Sequence, residues 1–233
     1  MTGTIRGIDG VKGGWIFATA AVIEGKIGKV DLKFQSTLIH SDLSEISIIG
    51  IDMPIGLPAQ TCKGGREAEK RARKHLPGRA SSIFSTPCRG CLAASSYPEA
   101  LAISRSSGPD HLGLSKQSYN ILPKIKSLDD LLQLNPSLQK QIYECHPELA
   151  FAFMAPDMSF ESKHSTKGRH QRLNTLEKVG IVPEQWLQKY PIIDQIDALA
   201  CLWSAHRILS GTAQMVPNPP PKDETGLRMA ISW

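Results

Sequence analysis

Two short apolar runs that each end in an aspartate constrain this chain more than any other feature of its sequence. Residues 4–9 form the first, closed by Asp9. Residues 46–52, Ile-Ser-Ile-Ile-Gly-Ile-Asp, form the second, a nearly continuous apolar run of the kind found in strands covered on both faces. If the two strands are parallel neighbours, about 4.8 Å apart, Asp9 and Asp52 emerge at one edge of the sheet. Ligand sites of open α/β sheets lie at that edge. Two carboxylates so placed repel, and they stay ionised only around a shared cation, which makes a divalent metal the natural third member. The competing reading gives each acid a local job, with Asp9 capping a turn before Gly10 and Asp52 before Pro54.

The surroundings of these runs read as α/β. After a turn at residues 10–14, a second strand is expected at 15–24. A third follows the Glu24-Gly25-Lys26 turn at 27–38, where Val30, Leu32 and Phe34 alternate with polar residues. These three strands make an antiparallel meander. From residue 63 the pattern turns mostly helical, with helices expected at 65–76, 98–106 and 129–138 between loops around Pro87, Gly108 and Pro123. A strand at 141–148 is broken by Pro147. Helices at 167–179 and 192–210 follow, and Gly211 ends the second. A proline-rich stretch at 217–221 then leads to a candidate last strand at 227–233. With 233 residues and 41% apolar side chains, one domain is the default.

Further acids cluster near the ends of later elements. Asp194 and Asp197, in Pro-Ile-Ile-Asp-Gln-Ile-Asp-Ala-Leu-Ala, are three apart and share a helix face beside the apolar stripe of Ile193, Ile196, Ala200 and Trp203. In Glu144-Cys-His-Pro-Glu148 the strand period puts Glu144, His146 and Glu148 on one side and Cys145 on the other, with Glu148 at the strand's end and within reach of a metal. Other motifs are lacking: no G-x-S-x-G, Walker loop or G-x-G-x-x-G occurs. Cys88-Arg-Gly-Cys91 is a single C-x-x-C without a second pair, so a zinc site would have to recruit Cys62 or His75. The five cysteines are odd in number and sparse, as expected of reduced thiols. No run of about 18 apolar residues spans a membrane, and the N-terminus lacks a signal-peptide layout. A cytoplasmic location without membrane partners is expected.

The net charge of +5 is concentrated in residues 63–79, where seven basic residues meet only Glu67 and Glu69. Clustered Lys and Arg gain affinity by releasing counterions from a polyanion, and the alternative is a solvated helix face with Glu67 to Arg71 and Glu69 to Arg73 pairs.

Five sequence blocks add a resemblance to these readings. Asp194-Gln-Ile-Asp197-Ala-Leu-Ala resembles the last catalytic helix of RuvC-type Holliday junction resolvases. Gly7-Ile-Asp9-Gly-Val-Lys-Gly-Gly-Trp15, Ile51-Asp52-Met-Pro-Ile-Gly-Leu-Pro58, Gly78-Arg-Ala-Ser-Ser-Ile-Phe84, Glu144-Cys-His-Pro-Glu148 and Asp223-Glu-Thr-Gly-Leu-Arg-Met229 together resemble an uncharacterised family, a domain of unknown function described as predicted nucleases with a ribonuclease H-like fold. The blocks cover nearly the whole chain. The resemblance implies a mixed five-stranded sheet, three strands antiparallel and two parallel, flanked by helices, in a single domain with a mostly helical insertion at about 63–139. It implies a hydrolase in which Asp9 is the acid of the first strand, Asp52 or Glu148 the central one, and Asp194 with Asp197 the helix-borne pair. Two magnesium or manganese ions held by Asp9, Asp52, Glu148 and Asp197 would serve phosphodiester hydrolysis. Nucleic acid is the expected partner, contacted through phosphates by Arg66, Lys70, Arg71, Arg79, Arg89, Lys167 and Arg172, with Arg169 nearby. His146 and His164 are candidate proton relays. Two rival readings remain: a non-catalytic nucleic-acid or protein-binding module on the same fold, and an actin- or sugar-kinase-like phosphotransferase. The sequence leaves oligomeric state open.

Overall fold

The computed structural model describes all 233 residues. They divide into two compact units, one made of residues 1–53, 140–214 and 232–233, the other of residues 54–139 and 215–231.

The first unit is built on a five-stranded sheet. Its strands are β1 (Gly3–Val11), β2 (Gly14–Ile23), β3 (Lys26–Gln35), β4 (Ile48–Ile51) and β5 (Ile142–Glu144), in the order β3-β2-β1-β4-β5. The first three pair antiparallel, while β4 runs parallel to both β1 and β5. The tight β2–β3 connection needs positive φ at both Glu24 (52°) and Gly25 (82°), as two-residue hairpin loops do. At the edge, β3 buries Val30 and Leu32 and exposes Lys29, Asp31 and Lys33, an alternation that leaves one face dry and puts charge on the open side. β1 lies at the centre and its core side chains are almost fully buried.

Four helices belong to this unit: α1 (His40–Leu43), α5 (Pro147–Met154), α6 (Thr166–Lys178) and α7 (Ile192–Leu209). The 11 residues from Gln195 to Ala205 are all buried, so α7 is enclosed on every side. The side chain of Gln195 anchors its first turn through hydrogen bonds to the backbone of Leu187, Tyr190 and Pro191. Packed against the sheet, α7 shares a core with Ile5, Ile16, Ala18, Val30, Phe151 and Leu176.

The second unit holds α2 (Glu67–Ala72), α3 (Tyr97–Ser106) and α4 (Lys116–Leu134), with short 3₁₀ turns between them. Arginines knit it together. Arg66 donates to Glu69 and to the carbonyls of Ile55 and Gly56, and Arg89 pairs with both Asp129 and Asp223.

Several expected elements differ. The helix foreseen at 65–76 is six residues long and tightens into a 3₁₀ turn at Arg73–His75. Pro123 does not break α4, because Ser115 caps the helix and Leu122, Ile125, Leu128 and Leu132 bury one side of it, which outweighs the lost backbone bond. Pro147 does not end a strand but opens α5, where a fixed φ and a missing N–H suit the first helical turn. The expected final strand is reduced to Ile231–Ser232.

Candidate functional site

Geometry places Asp9 and Asp52 side by side. The parallel register pairs Gly7 with Gly50 and Ile8 with Ile51, and the Asp52 amide donates to the Ile8 carbonyl at 2.9 Å. The two acids are therefore the next step of the same ladder, on strands about 4.8 Å apart. Side chains alternate along a strand, so Gly7 shares a face with Asp9, and Gly50 with Asp52. That face is the one α7 covers. A Cβ at Gly7 would lie 2.0 Å from the Ala198 carbonyl oxygen, and one at Gly50 would lie 2.5 Å from that of Cys201. Two adjacent glycines thus open a groove in the sheet in which the backbone of α7 rests. One turn N-terminal to Cys201, at i−4, stands Asp197, which brings its carboxylate to the end of the groove where Asp9 and Asp52 emerge.

The electrostatics follow from this convergence. Asp9 is 7% exposed and Asp197 2%. Burial, and after it the charges of Asp52, Asp197 and Asp194, push the Asp9 carboxyl well above the usual range. Burial likewise raises Asp52 and Asp197 to about 6, with Glu148 adding to the repulsion at both. Two carboxylates about 5 Å apart repel by roughly 3 kcal/mol at an effective dielectric of 20, so charge of the opposite sign is required nearby. The chain supplies it as Lys163. Its Nζ donates to Asp197 Oδ2 at 2.6 Å, and its attraction to Asp52 and Asp9 reaches across the group. The other oxygen, Asp197 Oδ1, is buried without a hydrogen-bond partner. As placed, no three His, Cys, Asp or Glu side chains form the joint ligands of one ion.

Glu148 reaches the site by a different route from the one expected. It is on the first turn of α5 rather than on a strand, and both of its oxygens accept from the Arg172 guanidinium at 2.8 Å. Glu144, the register partner of Ile51, shares the face of Ile51 and lies on the side of the sheet away from Asp52, because of the same alternation. Asp194 is half-buried in the first turn of α7.

The basic residues sort into two groups. Arg66 and Arg172 are buried, and Arg89 is largely so, with their guanidinium groups bonded to carboxylates and backbone carbonyls inside the protein. Lys70 and Arg71 are exposed, with Arg71 paired to Glu67 at 2.8 Å, and Lys167 is exposed and paired to Glu161 at 3.1 Å. Arg79 is half-buried. The residue that sequence reasoning missed is Lys163. It lies 34 positions before Asp197, in a polar loop, and no motif marks it.

Residues 7–222 match the family described as "Protein of unknown function (DUF429)". The chain belongs to the DUF429 family. The match takes in Asp9, Asp52, Glu148, Lys163 and Asp197, so the acids and their lysine all lie within the part that defines the family. No curated protein and no solved structure matches the chain.

Proposed function

We propose that this DUF429 protein is a metal-dependent nuclease of ribonuclease H-like architecture, hydrolysing phosphodiester bonds at Asp9, Asp52 and Asp197. The observation that carries the reading is the convergence of three carboxylates, Asp9 and Asp197 buried and Asp52 partly so, from the ends of two parallel strands and one helix at the carboxyl edge of the sheet. The strand order β3-β2-β1-β4-β5, with its antiparallel meander and parallel pair, supports the architecture.

The donor chemistry fits a hard divalent cation. The candidates are all carboxylate oxygens, and Asp197 Oδ1 is a buried lone-pair site without a partner. Asp9, Asp52 and Asp197 would hold magnesium or manganese, with Asp194 adding negative charge beside Asp9. When bound, such ions lower the pKa of an attacking water and stabilise a leaving oxygen. The buried walls of α7 and β1 exclude bulk water and so strengthen every charge at the site. The Gly10 amide, which donates to Asp9 Oδ1 at 2.8 Å, fixes the orientation of that carboxylate. Asp52 is favoured over Glu148 as the central acid because Glu148 is already bidentate to Arg172. Glu148 then orients the loop that follows α5 instead of binding the ion.

Asp9→Asn and Asp197→Asn test the reading, since each keeps size while removing one charge. With manganese, the wild-type protein is expected to cleave at least one of a panel of single-stranded, duplex, hybrid and branched substrates, and each variant to lose about 10²-fold or more. Silence of the wild type across the panel, together with no manganese binding by calorimetry, would falsify the proposal and leave a binding module on this fold.

A further inference from the structure

We infer that Lys163 occupies the cation position of the acid cluster, and that a divalent ion binds only as the Lys163 ammonium swings out. The inference rests on the nuclease reading and adds to it a built-in competitor for the metal.

Three observations support it. Lys163 Nζ is 2.6 Å from Asp197 Oδ2, so a cation already stands against the helix-borne acid of the cluster, and its attraction reaches Asp52 and Asp9 as well. The opposite oxygen, Asp197 Oδ1, is buried without a partner, so one ammonium does not satisfy the carboxylate that it contacts. No three His, Cys, Asp or Glu side chains are placed to hold one ion together, and the position against Asp197 Oδ2 is taken by the lysine ammonium. A single positive charge offsets only part of the repulsion among the three acids, and a doubly charged ion would offset more of it.

The loop around Lys163 defines what can move. Ser165 caps α6 by accepting from the Gly168 amide at 3.0 Å, and its own amide donates to the Ser162 carbonyl at 2.9 Å. A Cβ at Gly168 would lie 2.0 Å from the Ser162 carbonyl oxygen, so the loop is pressed directly onto the first turn of α6. Arg172 donates to the carbonyls of Glu161 and Gly168, at 3.0 and 2.8 Å, while its other donors hold Glu148. Gln171 accepts from the Glu161 amide at 2.8 Å. The backbone on both sides of Lys163 is thereby tied down. The side chain is 33% exposed and has a flexible four-carbon stem. Exchange is a rotation of that stem toward solvent, with the loop staying where it is. Glu148 and Arg172 are positioning residues in this scheme, since they set where the ammonium starts from.

Calorimetric titration of the full-length protein with manganese tests the competition. Lys163→Gln is expected to bind manganese about tenfold more tightly than wild type, or more, because the ion no longer displaces a cation. Lys163→Arg, which keeps the charge, and Lys178→Gln, which removes a charge from the far end of α6, should both stay near the wild-type affinity. Equal or weaker binding by Lys163→Gln overturns the inference. A second measurement needs no variant and covers the case in which Lys163→Gln does not fold. Amine acetylation of the wild-type protein, read by mass spectrometry, should rise at Lys163 on adding saturating manganese and stay constant at Lys178. Unchanged or reduced labelling at Lys163 overturns the inference while leaving the nuclease reading intact. Absence of manganese binding in wild type, Lys163→Gln and Lys163→Arg alike overturns both.

Discussion

Asp197 and Asp223 are both buried carboxylates, and they titrate in opposite directions. Burial pushes both upward. At Asp223 it is outweighed by hydrogen bonds from the Leu57 amide, Arg89, Thr225 and the Leu227 amide, so the carboxyl ends below its ordinary range. At Asp197 burial prevails, Lys163 offsets it only in part, Asp52 and Glu148 add repulsion, and the carboxyl rises to about 6. The difference separates two uses of buried charge. In the second unit, Asp129 and Asp223 lie among donors that satisfy them, and the result is a structural ion network around Arg89. In the first, three acids share one lysine. Such a cluster costs stability at neutral pH, which is what a site kept for a cation would be expected to cost.

The largest effects are expected where the backbone leaves no room. Gly7→Ala and Gly50→Ala would each place a methyl group against main-chain atoms of α7, at 2.0 and 2.5 Å, with no flexible neighbour to yield. Each is expected to cost about 5 kcal/mol or to prevent folding. Gly113→Ala, in the second unit, meets only the end of the Leu101 side chain at 3.3 Å, and should change stability by about 1 kcal/mol or less. Urea denaturation of the three variants measures the contrast. A folded Gly7→Ala protein within about 1 kcal/mol of wild type would mean that α7 does not lie in the glycine groove.

Charge removal should change stability in opposite directions in the two units. Arg89→Met strands Asp129 and Asp223 without their cation and is expected to cost about 3–5 kcal/mol at neutral pH. Asp52→Asn relieves repulsion and is expected to stabilise the metal-free protein by about 3 kcal/mol at pH 7.5. The sign follows from the direction of the shift. Asp52 has a folded value of about 6 against 3.8 for the unconstrained side chain, so the folded protein binds the extra proton between those values. The stability it contributes is fully present below pH 3.8 and is lost as pH rises through about 6. The gap between Asp52→Asn and wild type should therefore close as pH falls from 7.5 to 4. Thermal melts at several pH values read this directly, and a gap that widens toward low pH would contradict the repulsion at the site.

The two acids on strands and the acid on the late helix were legible in the sequence because each follows an apolar run that fixes its element and its end. The meander was legible for the same reason, as alternation at Val30, Leu32 and Phe34 and the Glu24-Gly25 turn specify local geometry. What the sequence did not reveal depends on packing between residues far apart in the chain. Pro147 reads equally as the end of a strand or the first turn of a helix, and only the packing of α5 against α7 decides, which moves Glu148 off the strand. Lys163 has no spacing relation to the acids that it neutralises. Arg66, Arg89 and Arg172 carry the composition of a phosphate-binding surface, yet their partners lie inside the protein, and composition alone does not distinguish a buried guanidinium from an exposed one.

That distinction sets the smallest effect expected. If residues 63–79 meet a nucleic-acid backbone, the side chains that do so must reach solvent, and Lys70 and Lys74 do whereas Arg66 does not. Lys70→Gln with Lys74→Gln should leave the melting temperature unchanged, since neither side chain supports the core. On duplex DNA the same pair of substitutions should reduce the slope of log affinity against log salt by about 0.9 for each phosphate no longer neutralised, uniformly across sequences. Arg71→Gln is a weaker probe, because its guanidinium is shared with Glu67 at 2.8 Å and removing it also frees a carboxylate. An unchanged salt slope in the double variant would assign the basic run to a solvated helix face and shift the search for phosphate-binding side chains to Lys167 and Arg169 on α6, the helix that follows the Lys163 loop.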